Sequence, residues 1–157
     1  MARLFTVASD ETLIAMISNA SERLVIVAPG LSGKVATALA ERLNTGTSLT
    51  ELSVTLDTDP EVCRLGYGAI EALDLLRPAL ASQGHLLQAQ AGVRIGLIVA
   101  DADVLVYSPT PELIEAGSSS DEKPNAIRIT GAGPQESWHS LAVLWIPMSW
   151  VSPKRLD

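Results

Sequence analysis

The chain has 157 residues, of which 47% are hydrophobic and 18% charged, a composition typical of one globular domain rather than of a disordered protein. Its formal net charge is −7 and its eleven basic residues are scattered from Arg3 to Arg155, so we expect it to bind neither nucleic acid nor an anionic membrane surface. The single cysteine, Cys63, cannot form an internal disulfide and no apolar run approaches ~20 residues, so we expect a cytoplasmic protein that does not span a membrane.

Helix and strand signals alternate along the first 110 residues. Between Thr6 and Ala20, Ser9 and Asp10 are typical of a helix start, and the apolar residues of ETLIAMISNA then repeat at helical spacing. The segments predicted to follow are a strand at LVIVAP, a helix from Ser32 to Leu43, a strand from Leu52 to Asp57, a helix from Tyr67 to Ser82 and a strand at HLLQAQ. Pro78 lacks the backbone donor that a helix interior needs, so it is expected to kink or divide its helix.

A hairpin is predicted next. Two short apolar strands, Ile95–Val99 and Val104–Tyr107, flank a turn at Asp101, and a further short strand is predicted over Ala126–Thr130. Because helices separate the early strands, the pattern predicts an α/β fold with a mixed, mostly parallel sheet flanked by helices. We assign residues 1–130 to this domain and residues 131–157 to a separate C-terminal segment that contains all the tryptophans.

The segment GVRIGLIVADADVLVYSPT resembles the active-site hairpin of the phospholipase D-like superfamily. In that family a strand carries His-x-Lys, an Asp follows five residues after the Lys, and the next strand ends in a small polar run. Here Arg94 stands at the His position and Gly96 at the Lys position, while Asp101 and Ser108 match the pattern. The order of strands and helices from Phe5 to Thr110 is similar to one lobe of that family.

The resemblance implies a mechanism for the active members of the family. In active members two such hairpins meet, from two lobes or two subunits. One His then attacks phosphorus, the other protonates the leaving group, and the lysines hold the phosphoryl oxygens. Arg94 stays protonated and Gly96 carries no charge, so neither can take these parts. We therefore expect no phosphodiesterase activity and no cofactor, and a role as a binding or assembly module, either as a homodimer or with a protein partner.

Two other interpretations of the hairpin remain open. The first is a ligand-sensing pocket in which Arg94, Asp101, Ser108 and Ser32 surround a small anion, since a guanidinium binds phosphate or carboxylate well. The competing interpretation of Arg94 is an ion pair with a carboxylate such as Asp101 or Asp103. The second alternative function is an enzyme of unrelated mechanism.

An acidic cluster and a glycine-containing turn resemble binding motifs without completing them. Asp57, Asp59 and Glu61 could bind Mg²⁺ or Ca²⁺, but they also suit the first turn of a helix, so we expect no metal. The turn from Pro29 to Lys34 lacks the first glycine and the final hydroxyl of a phosphate-binding P-loop. We expect Ser32 to cap a helix there.

The C-terminal segment has a different character from the rest of the chain. All three tryptophans, Trp138, Trp145 and Trp150, lie in WHSLAVLWIPMSW. Trp138, Leu141, Ala142 and Trp145 share one face of a helix, although a strand over residues 141–146 is also compatible with the sequence. Trp is enriched at interfaces, so these three are candidate interaction residues. The alternative is that the segment folds back and closes the core of its own domain.

Overall fold

The computed structural model describes residues 2–45, 48–111 and 124–131. In these ranges the strands are β1 (Ala2–Thr6), β2 (Arg23–Ala28), β3 (Glu51–Leu56), β4 (Gln88–Ala89), β5 (Gly96–Ala100), β6 (Asp103–Tyr107) and β7 (Ala126–Thr130). The helices are α1 (Asp10–Asn19), α2 (Gly33–Asn44), α3 (Pro60–Arg64) and α4 (Ile70–Ser82).

The strands form one mixed sheet in the order β1-β7-β6-β5-β2-β3-β4. Only the β2–β3 and β3–β4 pairs are parallel, and the other four pairs are antiparallel. The prediction of a mixed sheet flanked by helices is therefore confirmed, but the prediction that most of its strands are parallel is wrong. The reason is that helix-connected strands are direct neighbours only among β2, β3 and β4, whereas β1 lies at the far side of the sheet, β5 and β6 form a hairpin, and β7 returns antiparallel to β6.

The core lies between one face of the sheet and a layer of three helices. The layer consists of α1, α2 and α4, which pack side by side. Alternate residues of the central strands enter this core: Leu24, Ile26 and Ala28 of β2 and Leu52, Val54 and Leu56 of β3. Since successive side chains of a strand point to opposite faces, the residues between them lie on the second face of the sheet.

Most predicted elements are present, with two differences. Helix α4 continues through Pro78 without division, and the strand predicted at HLLQAQ shortens to Gln88–Ala89. The predicted caps of α1 and α2 are confirmed, because the hydroxyls of Ser9 and Ser32 accept hydrogen bonds from Thr12 N and Val35 N. Within the described ranges, none of the helices is both long and apolar enough to cross a lipid bilayer.

Candidate functional site

The topology brings three of the four residues predicted to line the pocket to one edge of the sheet. Ser32 follows the end of β2, Arg94 precedes the start of the antiparallel β5, and Ser108 follows the end of β6. Asp101 follows the other end of β5, so it lies at the opposite edge, roughly 16 Å away along the strand. We refer to the edge with Arg94 and Ser108 as the carboxyl edge, because β2, β3 and β6 end there.

Arg94 is ion-paired at the carboxyl edge. Its Nη1 lies 3.1 Å from Oδ2 of Asp57 and also donates to its neighbour's carbonyl, that of Val93, at 2.7 Å. The guanidinium carbon is 5.9 Å from the centroid of the Tyr67 ring. An ion pair was one of the predicted interpretations, but both suggested partners were wrong, because Asp103 pairs instead with Arg128. Half of the Arg94 side chain (50%) remains exposed.

Asp57 is a buried carboxylate, with 4% of its surface exposed. Burial alone would raise its pKa, but hydrogen bonds from the backbone amides of Asp59 and Gly92 and from Arg94 outweigh burial and lower the pKa. Asp57 is therefore a charged anchor that joins the end of β3 to the segment leading into β5. Its position directly after a buried strand was visible in the sequence, but its partners were not.

Gly96 is covered by the ring of Tyr107. The two residues are direct partners across β5 and β6, and a Cβ added at Gly96 would lie 2.1 Å from Cζ of the tyrosine and 2.3–2.4 Å from both Cε atoms. Tyr107 is only 7% exposed, and burial raises the pKa of its hydroxyl well above the usual value. The space that a side chain at position 96 would need is therefore filled by Tyr107.

At the opposite edge, the Asp101 carboxylate binds the backbone where β2 begins. It accepts hydrogen bonds from the backbone amides of Ser21, Glu22 and Arg23 and from the Ser21 hydroxyl, at 2.8–2.9 Å. Burial opposes the charge, but these four donors lower the pKa of Asp101 to about 2. Asp101 thereby fastens the β5–β6 turn to the start of β2.

The two serines of the predicted pocket also have local partners. Ser32 caps α2, and its hydroxyl donates to Oδ2 of Asp10 at 2.9 Å, which connects the first turns of α1 and α2. Ser108 is exposed, and its amide donates to the carbonyl of Asn125 at 2.9 Å. The side-chain oxygen of Asn125, a residue not predicted from its sequence context, accepts a hydrogen bond from Ala8 N at 2.8 Å.

The acidic cluster has structural partners as well. Asp59 caps α3 by accepting from the amide of Glu61 at 2.9 Å, and Glu61 pairs with Arg64. With Asp57 held by Arg94, the three carboxylates face three different sets of donors. Asp59 and Glu61 thus lie at the start of α3, as the helix-start interpretation predicts.

A cleft of about 650 Å³ lies on the helix side of the sheet, between α1 and the β5–β6 turn. Its charged lining consists of Glu11, Asp101, Asp103 and Arg128. Nη2 of Arg128 donates to Asp103 at 2.7 Å, and its Nε is buried without a hydrogen-bond partner. The cleft is therefore remote from Arg94, and its cation is paired with an acidic neighbour.

Comparison with known proteins shows the fold. No protein-family model matches the sequence, and a search of curated proteins finds no relative. Among solved structures the chain is similar to Nuc from Salmonella typhimurium, a phospholipase D family member, with 13% identity over 83% of each chain and a TM-score of 0.55. A second similar structure is TrmBL2, an archaeal chromatin protein, with 10% identity over 91% of this chain and 48% of the other and a TM-score of 0.47. The chain thus has a phospholipase D-like fold, with a mixed seven-stranded sheet flanked by helices.

The candidate interaction residues Trp138, Trp145 and Trp150 lie outside the described residues.

Proposed function

We propose that this chain is a phospholipase D-like domain without phosphodiesterase activity, which acts as a binding or assembly module and forms a homodimer through its carboxyl edge. One observation carries the proposal. Where the family hairpin places an imidazole and an ammonium group, this chain places an arginine that is ion-paired with Asp57 and a glycine that is covered by Tyr107.

Position 94 holds a guanidinium where the family mechanism needs a nucleophilic imidazole. Attack on phosphorus needs an imidazole that is neutral near pH 7, and a guanidinium stays protonated in proteins. In the described ranges the only histidine is His85, which lies between α4 and β4, and in the sheet β2 and β3 separate β4 from the β5–β6 hairpin. Loss of one essential group costs orders of magnitude in rate, and here two of them are replaced.

The proposed homodimer is supported by the family resemblance and by the exposed end of the β5–β6 hairpin. Active members bring two hairpins together, and Ser108 is exposed at the corresponding end of this hairpin. A lone lobe that pairs in the same way would form a symmetric dimer, the commonest form of oligomer. The single Cys63 is consistent with the reducing cytoplasm as its location.

Two measurements test the proposal. The full chain should hydrolyse bis(4-nitrophenyl) phosphate no faster than buffer, and light scattering should give twice the 16.6 kDa mass of the chain. Ser108→Glu should halve that mass through charge repulsion across the symmetry axis. Ala102→Glu, at the exposed turn at the other end of the hairpin, should leave it unchanged. Turnover that Arg94→Ala abolishes would overturn the inactive assignment, and a monomeric parent chain would overturn the dimer.

The second candidate function is sensing of a small anion at Arg94. The half-exposed guanidinium favours it, whereas the Asp57 carboxylate competes for the same Nη1. Inorganic phosphate at 100 times its Kd would stabilise the fold by about 2.7 kcal/mol, an effect that a thermal-shift assay detects easily. The response should vanish in Arg94→Ala, and an equal response in that variant would place the anion elsewhere.

A further inference from the structure

The face of the sheet opposite α1, α2 and α4 carries a band of apolar side chains across five strands, and the Arg23–Glu51 ion pair lies on the same face at the start of β2 and β3. The alternation within each strand places the following side chains on it: Phe5 of β1, Val25 and Val27 of β2, Leu97 and Val99 of β5, Val104 and Val106 of β6, and Ile127 and Ile129 of β7. We call these nine residues the second face.

The strand register aligns these residues into two continuous rows. The first row runs through the direct pairs Phe5–Ile127, Ile127–Val106, Val106–Leu97 and Leu97–Val27. The second row runs through the pairs Ile129–Val104, Val104–Val99 and Val99–Val25. Directly paired side chains are in contact, so the rows form one uninterrupted apolar surface.

Exposure varies across the second face. Val99 and Val104 in its middle are 0% and 1% exposed, and neither belongs to the core beneath the helices. At its margin Phe5 is 74% exposed and Ile127 is 39% exposed. A surface of this kind on a sheet requires a cover, because large contiguous apolar patches are rare on soluble monomers.

The chain holds a segment that suits this surface in composition, charge and length. Residues 132–157 follow β7, whose neighbours are β1 and β6, so they start at one side of the second face. Residues 137–151 contain no Asp, Glu, Lys or Arg, which suits a band built of Phe, Val, Leu and Ile side chains. From β7 to β2 the distance across the sheet is about 14 Å, which a few extended residues span.

We propose that residues 132–157 pack on the second face through their tryptophans and form the outer layer of this domain. The segment then serves its own chain rather than a partner. The homodimer proposed above uses the carboxyl edge and not the second face. An experiment that disproves the dimer therefore leaves the packing of residues 132–157 untouched, and the reverse also holds.

Intrinsic tryptophan fluorescence tests the proposal directly, because all three tryptophans of the protein lie in this segment. Phe5→Lys places a charge on the second face. Leu4→Lys is its matched control, since Leu4 is the neighbouring residue on β1, is 66% exposed and faces the other way. In the parent chain we expect blue-shifted emission and protection from acrylamide at every protein concentration. Phe5→Lys should shift the emission to the red and increase quenching, whereas Leu4→Lys should not.

A second measurement keeps the test decisive if a charge at position 5 unfolds the chain. A bimane label on Phe5→Cys, in a Cys63→Ser background, should be quenched by a nearby tryptophan, and the same label on Leu4→Cys should remain bright. Solvent-exposed tryptophan emission in the folded parent, equal behaviour of the two positions, or a response at Leu4 alone would overturn the proposal. Protection that disappears on dilution would assign the second face to another copy of the chain and would also overturn it.

Discussion

Replacing Asp101 by Asn removes a charge from the turn that fastens β5 and β6 to the start of β2. The carboxylate accepts four hydrogen bonds there, whereas an Asn side chain has one acceptor oxygen and an amide group that would face backbone donors. The backbone of Asp101 has φ +53°, a conformation that Asn tolerates as well as Asp. The variant therefore changes the electrostatics of the turn without adding backbone strain.

The expected loss of unfolding free energy follows from the pKa of Asp101. The folded-state pKa of Asp101 is about 2, against an ordinary value of 3.8. At 1.36 kcal/mol per pKa unit, the charged form contributes about 2 kcal/mol to the free energy of unfolding. Because the folded pKa is depressed, this stability is fully present above about pH 5 and is lost as the pH falls through 4 towards 2. Asp101→Asn should thus cost about 2 kcal/mol at pH 7 and progressively less in acid.

Urea denaturation between pH 7 and pH 2.5 measures this difference. For a domain of this size the loss corresponds to a fall in Tm of about 4–8 °C at pH 7. Asp59→Asn is the matched control, since Asp59 caps α3 through one amide and Asn caps helices equally well. Equal stability of Asp101→Asn and the parent at pH 7, or a gap between them that stays constant down to pH 2.5, would refute the reasoning.

Three further predictions concern the carboxyl edge. Gly96→Ala should cost about 1–3 kcal/mol by displacing the Tyr107 ring, and much less in a Tyr107→Ala background, which a double-mutant cycle in urea would measure. Gly30→Ala should destabilise the fold because its Cβ would lie 2.7 Å from the Tyr67 carbonyl oxygen, whereas Gly33→Ala, with open space around it, should be neutral in thermal melts. Arg94→Ala should cost about 1–2 kcal/mol by leaving a buried carboxylate without its cation, a loss that equal Tm values would contradict.

The helices and central strands were predictable because their signals are local. Helix periodicity and the hydroxyls of Ser9 and Ser32 define where α1 and α2 begin, and both caps are present in the structure. The strands β2 and β3 begin within one residue of their prediction at Leu24 and Leu52. These features depend on residues at most four apart, which is the range over which sequence patterns act.

The features that were not predicted depend on distant partners. Strand β1 was not identified, because it is fixed by pairing with β7, whose residues follow their β1 partners by at least 120 positions. The partner of Arg94 is 37 residues away, and the amides that bind Asp101 are 78–80 residues away. Periodicity carries no information on such contacts, so the ion pair was predicted with the nearest acidic residues instead of Asp57.

The departures from the family pattern at positions 94 and 96 are tied to the rest of the fold rather than isolated. A lysine at position 96 would have to displace the buried Tyr107 ring, and that ring belongs to the core shared with α1 and α2. A histidine at position 94 would leave Asp57 without the cation that now neutralises it. Restoring the family residues alone should therefore destabilise the fold before it could restore any chemistry. This coupling is the physical reason to regard Arg94 and Gly96 as parts of the structural framework at the carboxyl edge.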